Sequence, residues 1–178
     1  MSFKNSLKRS TSFYETNKQE LIKEFNSFTE LVSIELDSKY LANLFDQYAG
    51  IDYVLVNNAL KKLYGVAARV NFSLKTKGKL TIRYSRASGT DTEFAKRLSS
   101  IRLDDSLYPN ITMQVDSDIN GYMEGGIILK TKELYLFLDK NIDDVKNRFL
   151  ESCQEGNQYF AIPYQTIKDE FGIRCKIF

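Results

Sequence analysis

The chain has 178 residues, enough for one domain that buries about two-thirds of its unfolded surface. A 43% hydrophobic and 13% aromatic content excludes a disordered tail, and a formal charge of only +2 leaves any nucleic-acid partner to be decided by local patches. Histidine is absent, which removes His-based acid–base catalysis, Ser-His-Asp triads and His-ligated zinc together.

The first 15 residues carry Lys4, Lys8 and Arg9 and read as a flexible basic arm ahead of a single domain over residues 16–178. No apolar core follows those charges and no run of about 18 apolar residues exists, so neither a secretory signal nor a membrane partner is expected, and a cytoplasmic protein fits. Cys153 and Cys175 read as buried thiols in a reducing compartment.

Thr16 with Gln19 has the spacing of a capping box, and Leu21, Phe25, Phe28 and Val32 continue it as one apolar stripe, with Glu35 near the end. A second helical stretch places Leu41, Leu44, Phe45 and Tyr48 on one face around Asp46, and Gly50 stops it. Three apolar runs follow, over residues 53–56, 65–72 and 80–84. Their short polar connections predict an antiparallel meander.

Thr90 with Glu93 spaces a further capping box, leading a helix that buries Phe94, Leu98 and Ile101. Strands are predicted over 111–115 and 125–129. Thr131 then starts a helical turn with Leu134, Phe137 and Leu138, and Asn141 caps a helix whose inner face is Ile142, Val145, Phe149 and Cys153. Residues 159–163 read as an edge strand because Pro163 lacks a donor, followed by a short helix ending at Gly172 and a strand over 173–178. With no repeat or linker, the whole reads as one mixed α+β domain.

Chemistry concentrates between residues 46 and 97. Asp52 opens an apolar strand, and with Glu35, Asp46 and Glu93 it forms the kind of carboxylate set that holds Mg²⁺. Glu93 has a second reading as a cap alone, and Glu35 and Asp46 as solvated helix residues. Arg69 and Arg83 interrupt apolar strands, with Arg86, Lys96 and Arg97 close behind; such a set suits a phosphate, though alternation on a half-exposed strand also places arginine there. In 65–70, Arg69 shares a face with Ala67 and Asn71, opposite Val66, Ala68 and Val70. Lys96 stands one turn after Glu93, as a surface ion pair or a catalytic pair. The N–H groups after Ser88-Gly89 offer a weaker phosphate contact.

The order helix, acid-led strand, strand with a charged centre, strand, helix, strand resembles the restriction-endonuclease-like PD-(D/E)xK nucleases, in which an acid opens one strand and an (E/Q)-x-K triplet lies on the next. Asp52 matches the acid. The triplet falls on Ala67-Ala68-Arg69, so Arg69 replaces the lysine and Ala67 the second acid. Runs such as Gly50-Ile51-Asp52 and Thr92-Glu93-Phe94-Ala95-Lys96-Arg97 look like small nuclease-like proteins of phages and mobile elements. The resemblance spans roughly residues 35–115. It implies a central mixed or antiparallel sheet flanked by helices, and a Mg²⁺-dependent phosphodiesterase acting on DNA or RNA. Asp52, Glu93 and Glu35 would hold the metal, and Lys96 would position water. Arg69, Arg83, Arg86 and Arg97 would hold nucleic acid. The missing second acid implies the alternative, an inactive nuclease fold that binds nucleic acid or a host or phage protein.

Overall fold

Apolar alternation in this chain builds two sheets rather than one, and the cleft described below forms where they meet. The computed structural model describes residues 3–25, 30–34, 45, 50–103, 107–153 and 156–178. In chain order these form α1 (Phe3–Glu24), β1 (Glu30–Ser33), β2 (Tyr53–Asn57), β3 (Lys62–Asn71) and β4 (Lys79–Ser85). There follow α2 (Glu93–Arg102), β5 (Ile111–Ser117), β6 (Met123–Lys130), α3 (Thr131–Lys140) and α4 (Ile142–Phe149). The chain closes with β7 (Leu150–Ser152), β8 (Gln158–Pro163), α5 (Tyr164–Asp169) and β9 (Cys175–Ile177). The domain is α+β, as the sequence predicts.

A six-stranded sheet has the order β1-β2-β3-β5-β6-β9, and β4-β8-β7 form a second sheet. Pairing is antiparallel except between β3 and β5, which run parallel with Arg69 opposite Gln114 and Asn71 opposite Asp116. One face of the large sheet buries Tyr53, Leu55, Val66, Met113 and Val115 against Phe13, Tyr14, Leu21 and Phe25 from α1 and the residue after it. Each such side chain contributes about 1.5–3 kcal/mol when fully buried. On the opposite face, Ile127 and Leu129 of β6 join the main core with Leu80, Ile82 and Phe160 of the small sheet and Phe94, Leu98, Leu134 and Leu138 of α2 and α3, and Val54 of β2 packs in a small cluster with Ile34 and Ile51.

Between these regions the strands β3 and β5 present a polar seam, and β4 lies across it. The Gln114 side chain acts as a substitute strand: its amide oxygen accepts from the Thr81 N–H (2.8 Å) and hydroxyl (2.9 Å), and its NH₂ donates to the Lys79 carbonyl. Asp116 accepts from the Gly78 N–H (3.0 Å) and from the Asn71 amide (2.7 Å). Arg69 donates to the Thr81 carbonyl (2.6 Å). Backbone groups of β4 that a neighbouring strand would satisfy are met by side chains instead.

The expected meander is therefore corrected. β2 and β3 pair antiparallel, but the 3₁₀ turn Leu74–Thr76 and Gly78, at φ +71°, carry β4 away to the small sheet, and β5 takes its place beside β3. The predicted edge strand around Pro163 is central in its sheet, between β4 and β7; proline is tolerated because it occupies the last position. The stretch read as a basic arm is helical from Phe3, with Phe13 and Tyr14 buried. Cys153 leaves the predicted helix face: β7 intervenes, and Cys153 is exposed while Cys175 is half-buried. Asn141 precedes α4, but its side chain donates back to the Phe137 carbonyl rather than capping. The second helical stretch, apart from Phe45, lies outside the described residues, as do Glu35 and Asp46. Among the described residues no helix is long and apolar enough to cross a membrane.

Candidate functional site

A cleft of about 250 Å³ opens where β3, β4 and the start of α2 converge. Asp52, Arg69, Arg83, Arg86, Glu93, Lys96 and Arg97, spread over 46 positions of chain, all line it. Local structure explains the convergence. Asp52 sits immediately before β2, where its N–H donates to the Val66 carbonyl and its Oδ2 accepts from the Ala68 N–H at 2.7 Å. Its carboxylate is thereby tied to the strand that carries Ala67-Ala68-Arg69. Arg69 projects from the polar face of β3 with Ala67 and Asn71, in the phase that its alternation predicts.

Glu93 is the centre of the polar set. Arg69 Nη2 donates to its Oε2 at 2.6 Å, and Arg97 Nη1 donates to its Oε1. Arg97 is buried and donates further to the Tyr135 hydroxyl (2.9 Å) and the Gly50 carbonyl (3.2 Å). Gly50 is required there: it holds φ +61°, and a Cβ would come within 3.3 Å of Arg97 Nη2. Burial raises the Glu93 pKa, but Arg69, Arg97 and Arg83 outweigh it and hold the carboxyl below its ordinary value. For Arg97 burial works against the charge, and Glu93 above all restores it, so its pKa stands above that of a free guanidinium. Burial likewise raises the Tyr135 phenol, which stays a neutral donor at physiological pH.

The predicted roles change accordingly. Glu93 is not a cap: Thr92 caps α2, its hydroxyl accepting from the Ala95 N–H. With that N–H occupied, the turn at Ser88-Gly89 does not open directly onto the helix, which starts four residues later. The i,i+4 partner of Glu93 is Arg97 rather than Lys96. Arg97, read as a nucleic-acid contact, is instead a buried anchor for Glu93. Arg83, Arg86 and Lys96 are exposed, and among the described residues none meets a carboxylate at ion-pair distance. Partial burial and then the neighbouring Arg69 and Arg86 charges lower the Arg83 pKa, as like charges crowding one cleft must.

Asp52 and Glu93 border the same space, but among the described residues no three carboxylate or thiol groups gather at cation-binding distance. Gln114, Asp91 and Thr81 are among the lining residues that escaped the sequence reading. Gln114 had a signal, as a lone amide in an apolar strand. Asp91 stood in plain view before the capped helix. Thr81 gave none, because a threonine in a strand is unremarked. No family model, curated protein or solved structure matches this chain.

Proposed function

We propose that the cleft binds the phosphate groups of a nucleic acid. The observation that carries this reading is the trio Arg83, Arg86 and Lys96: cations that face one cleft and, among the described residues, lack carboxylate partners. A phosphodiester supplies the missing anion, accepting from the guanidinium forks and from the Lys96 ammonium as a point charge. The Arg69–Glu93–Arg97 set beneath them holds Arg69 in place, so the floor of the cleft is pre-arranged rather than assembled on binding.

Fluorescence anisotropy with labelled oligonucleotides over a salt series tests it. Affinity should fall with salt at a log–log slope of about −0.7 per phosphate neutralised on a single strand, so about −2 for three contacts. Arg83→Glu and Lys96→Glu should each weaken binding and flatten that slope. Wild-type protein that binds no oligonucleotide at low salt removes the reading.

Metal-dependent cleavage is the second reading, favoured by Asp52. It stands at the entrance to β2, hydrogen-bonded to the strand that carries the triplet position, with Lys96 bordering the same cleft. Mg²⁺ needs only one or two carboxylates, so Asp52 suits it, while Glu93 joins only by releasing an arginine. Such an ion polarises a phosphodiester and lowers the pKa of bound water. Divalent-dependent cleavage that disappears in Asp52→Asn, with binding retained, supports this reading. Equal cleavage by that variant assigns the activity to something other than this site.

A further inference from the structure

We infer that the cleft continues past Arg83 into a second cavity, and that the joined groove seats a single-stranded polynucleotide over at least two successive nucleotides. This rests on the phosphate-binding reading and extends it. The second cavity, of about 350 Å³, shares Arg69, Thr81 and Arg83 with the first. The two are therefore adjoining stretches of one depression across β4. Its far wall comes from the turn after β3, with Ser73 and Lys75, from Cys153 and Asn157 between β7 and β8, and from Tyr159 on β8.

Among the described residues its lining holds three cations, Arg69, Lys75 and Arg83, and no carboxylate. Glu151 stands outside the lining and is shared: Lys75 (3.0 Å), Lys79 (3.4 Å) and the Tyr159 hydroxyl (3.1 Å) all turn to it. One acid between two lysines leaves surplus positive charge there among the described residues. Arg83 and Tyr159 are direct partners across the β4–β8 ladder, so they project from the same face of the small sheet. A guanidinium beside a half-buried aromatic suits a phosphate with its neighbouring base, the base stacking on the ring while the phosphate meets the cation. Bases in a duplex are stacked inside it and do not reach such a pit. Bases of a single strand splay freely.

Cys153, exposed on the wall of the second cavity, serves as a native reporter. Alkylation by iodoacetamide is followed by peptide mass mapping, which separates Cys153 from Cys175. A single-stranded hexanucleotide should slow Cys153 alkylation, while inorganic phosphate and a mononucleotide, which need only the first cleft, leave it unchanged. Ser73→Glu places a negative charge in the second cavity at an exposed position whose side chain caps nothing. It should weaken the hexanucleotide about tenfold, as the loss of one or two phosphate contacts does, and leave the mononucleotide unaffected. A hexanucleotide that binds wild type yet neither protects Cys153 nor responds to Ser73→Glu ends the groove at Arg83 and overturns the inference with the phosphate-binding reading intact. Equal protection by a duplex overturns the single-strand assignment. Failure of every oligonucleotide to bind brings down both.

Discussion

Replacing Glu93 by glutamine isolates the charge at the centre of the polar set. Glu93 accepts from Arg69 at 2.6 Å and from Arg97, and their side chains are 36% and 8% exposed. The two halves are unequal. Removing one partner of a buried pair costs about 3–5 kcal/mol, because the other charge is left without compensation. The Arg69 half is partly hydrated and follows the surface rule of about 0–1 kcal/mol. Glutamine also keeps one acceptor oxygen for Arg97. A loss of about 3 kcal/mol follows, which lowers Tm by about 6–12 °C in a chain of this size. The pH dependence has a definite sign. A carboxyl held below its ordinary pKa in the folded state contributes stability that is complete above the unfolded value, about 4.3, and is lost as pH falls through the folded value. Wild type and Glu93→Gln should thus differ most at neutral pH and converge as the medium is acidified below about pH 4. Urea denaturation at several pH values, with equal m-values in both proteins, measures the gap. A Tm difference under about 2 °C at pH 7, or a gap that widens on acidification, refutes the reasoning.

Two further substitutions probe the join between the sheets. Gln114→Ala removes the side chain that pairs with Lys79 and Thr81 and leaves their groups without partners; a cost of about 2–4 kcal/mol and faster hydrogen exchange at the Thr81 amide are expected, and unchanged exchange would show that β4 is held by its core contacts alone. Gly126→Ala puts a Cβ 2.6 Å from the Gln114 carbonyl oxygen and 2.6 Å from Phe178 Cζ; because the first is backbone in the middle of a sheet, about 1–3 kcal/mol should be lost by calorimetry, and a neutral result would mean that the β5–β6 ladder yields more than a packed sheet does.

Most elements of this fold are legible in the sequence, because period-2 and period-3.6 apolar patterns report which face a residue buries. The strands around Val54, Ile82, Met113 and Ile127 and the helix of Phe94, Leu98 and Ile101 all appear where the pattern puts them. Pairing is less legible. Nothing in residues 73–79 states that β4 will desert β3, since the deciding contacts come from Gln114 and Asp116, more than 30 positions away. The same holds at the cleft. The alternation of β3 places Arg69 on the polar face, but only the fold shows that its partner is Glu93 and that Arg97 points inward. An arginine in a helix stripe looks like surface; Arg97 is buried because Glu93, Tyr135 and the Gly50 carbonyl together satisfy three of its hydrogen bonds.

The near-neutral charge of the whole chain conceals how the cleft is balanced. Five cationic side chains and three acids line it, yet they divide into two layers of different purpose. In the lower layer Glu93 bridges Arg69 and Arg97, one carboxylate between two guanidinium groups, and this fastens α2 to β3 and, through Thr81, to β4. In the upper layer Arg83, Arg86 and Lys96 meet no carboxylate at ion-pair distance among the described residues, and the Arg83 pKa is lowered by partial burial first and then by the Arg69 and Arg86 charges. A carboxylate placed among them would stabilise the free protein and also occupy the position an incoming phosphate needs. Asp52 and Asp91 line the same cleft, but among the described residues no acid reaches ion-pair distance of these three cations, so like charges stay close together in it. On the proposed phosphate-binding reading, pairing below fixes the floor of the cleft, and the cations above, which meet no carboxylate at ion-pair distance among the described residues, are the groups left to meet a phosphate.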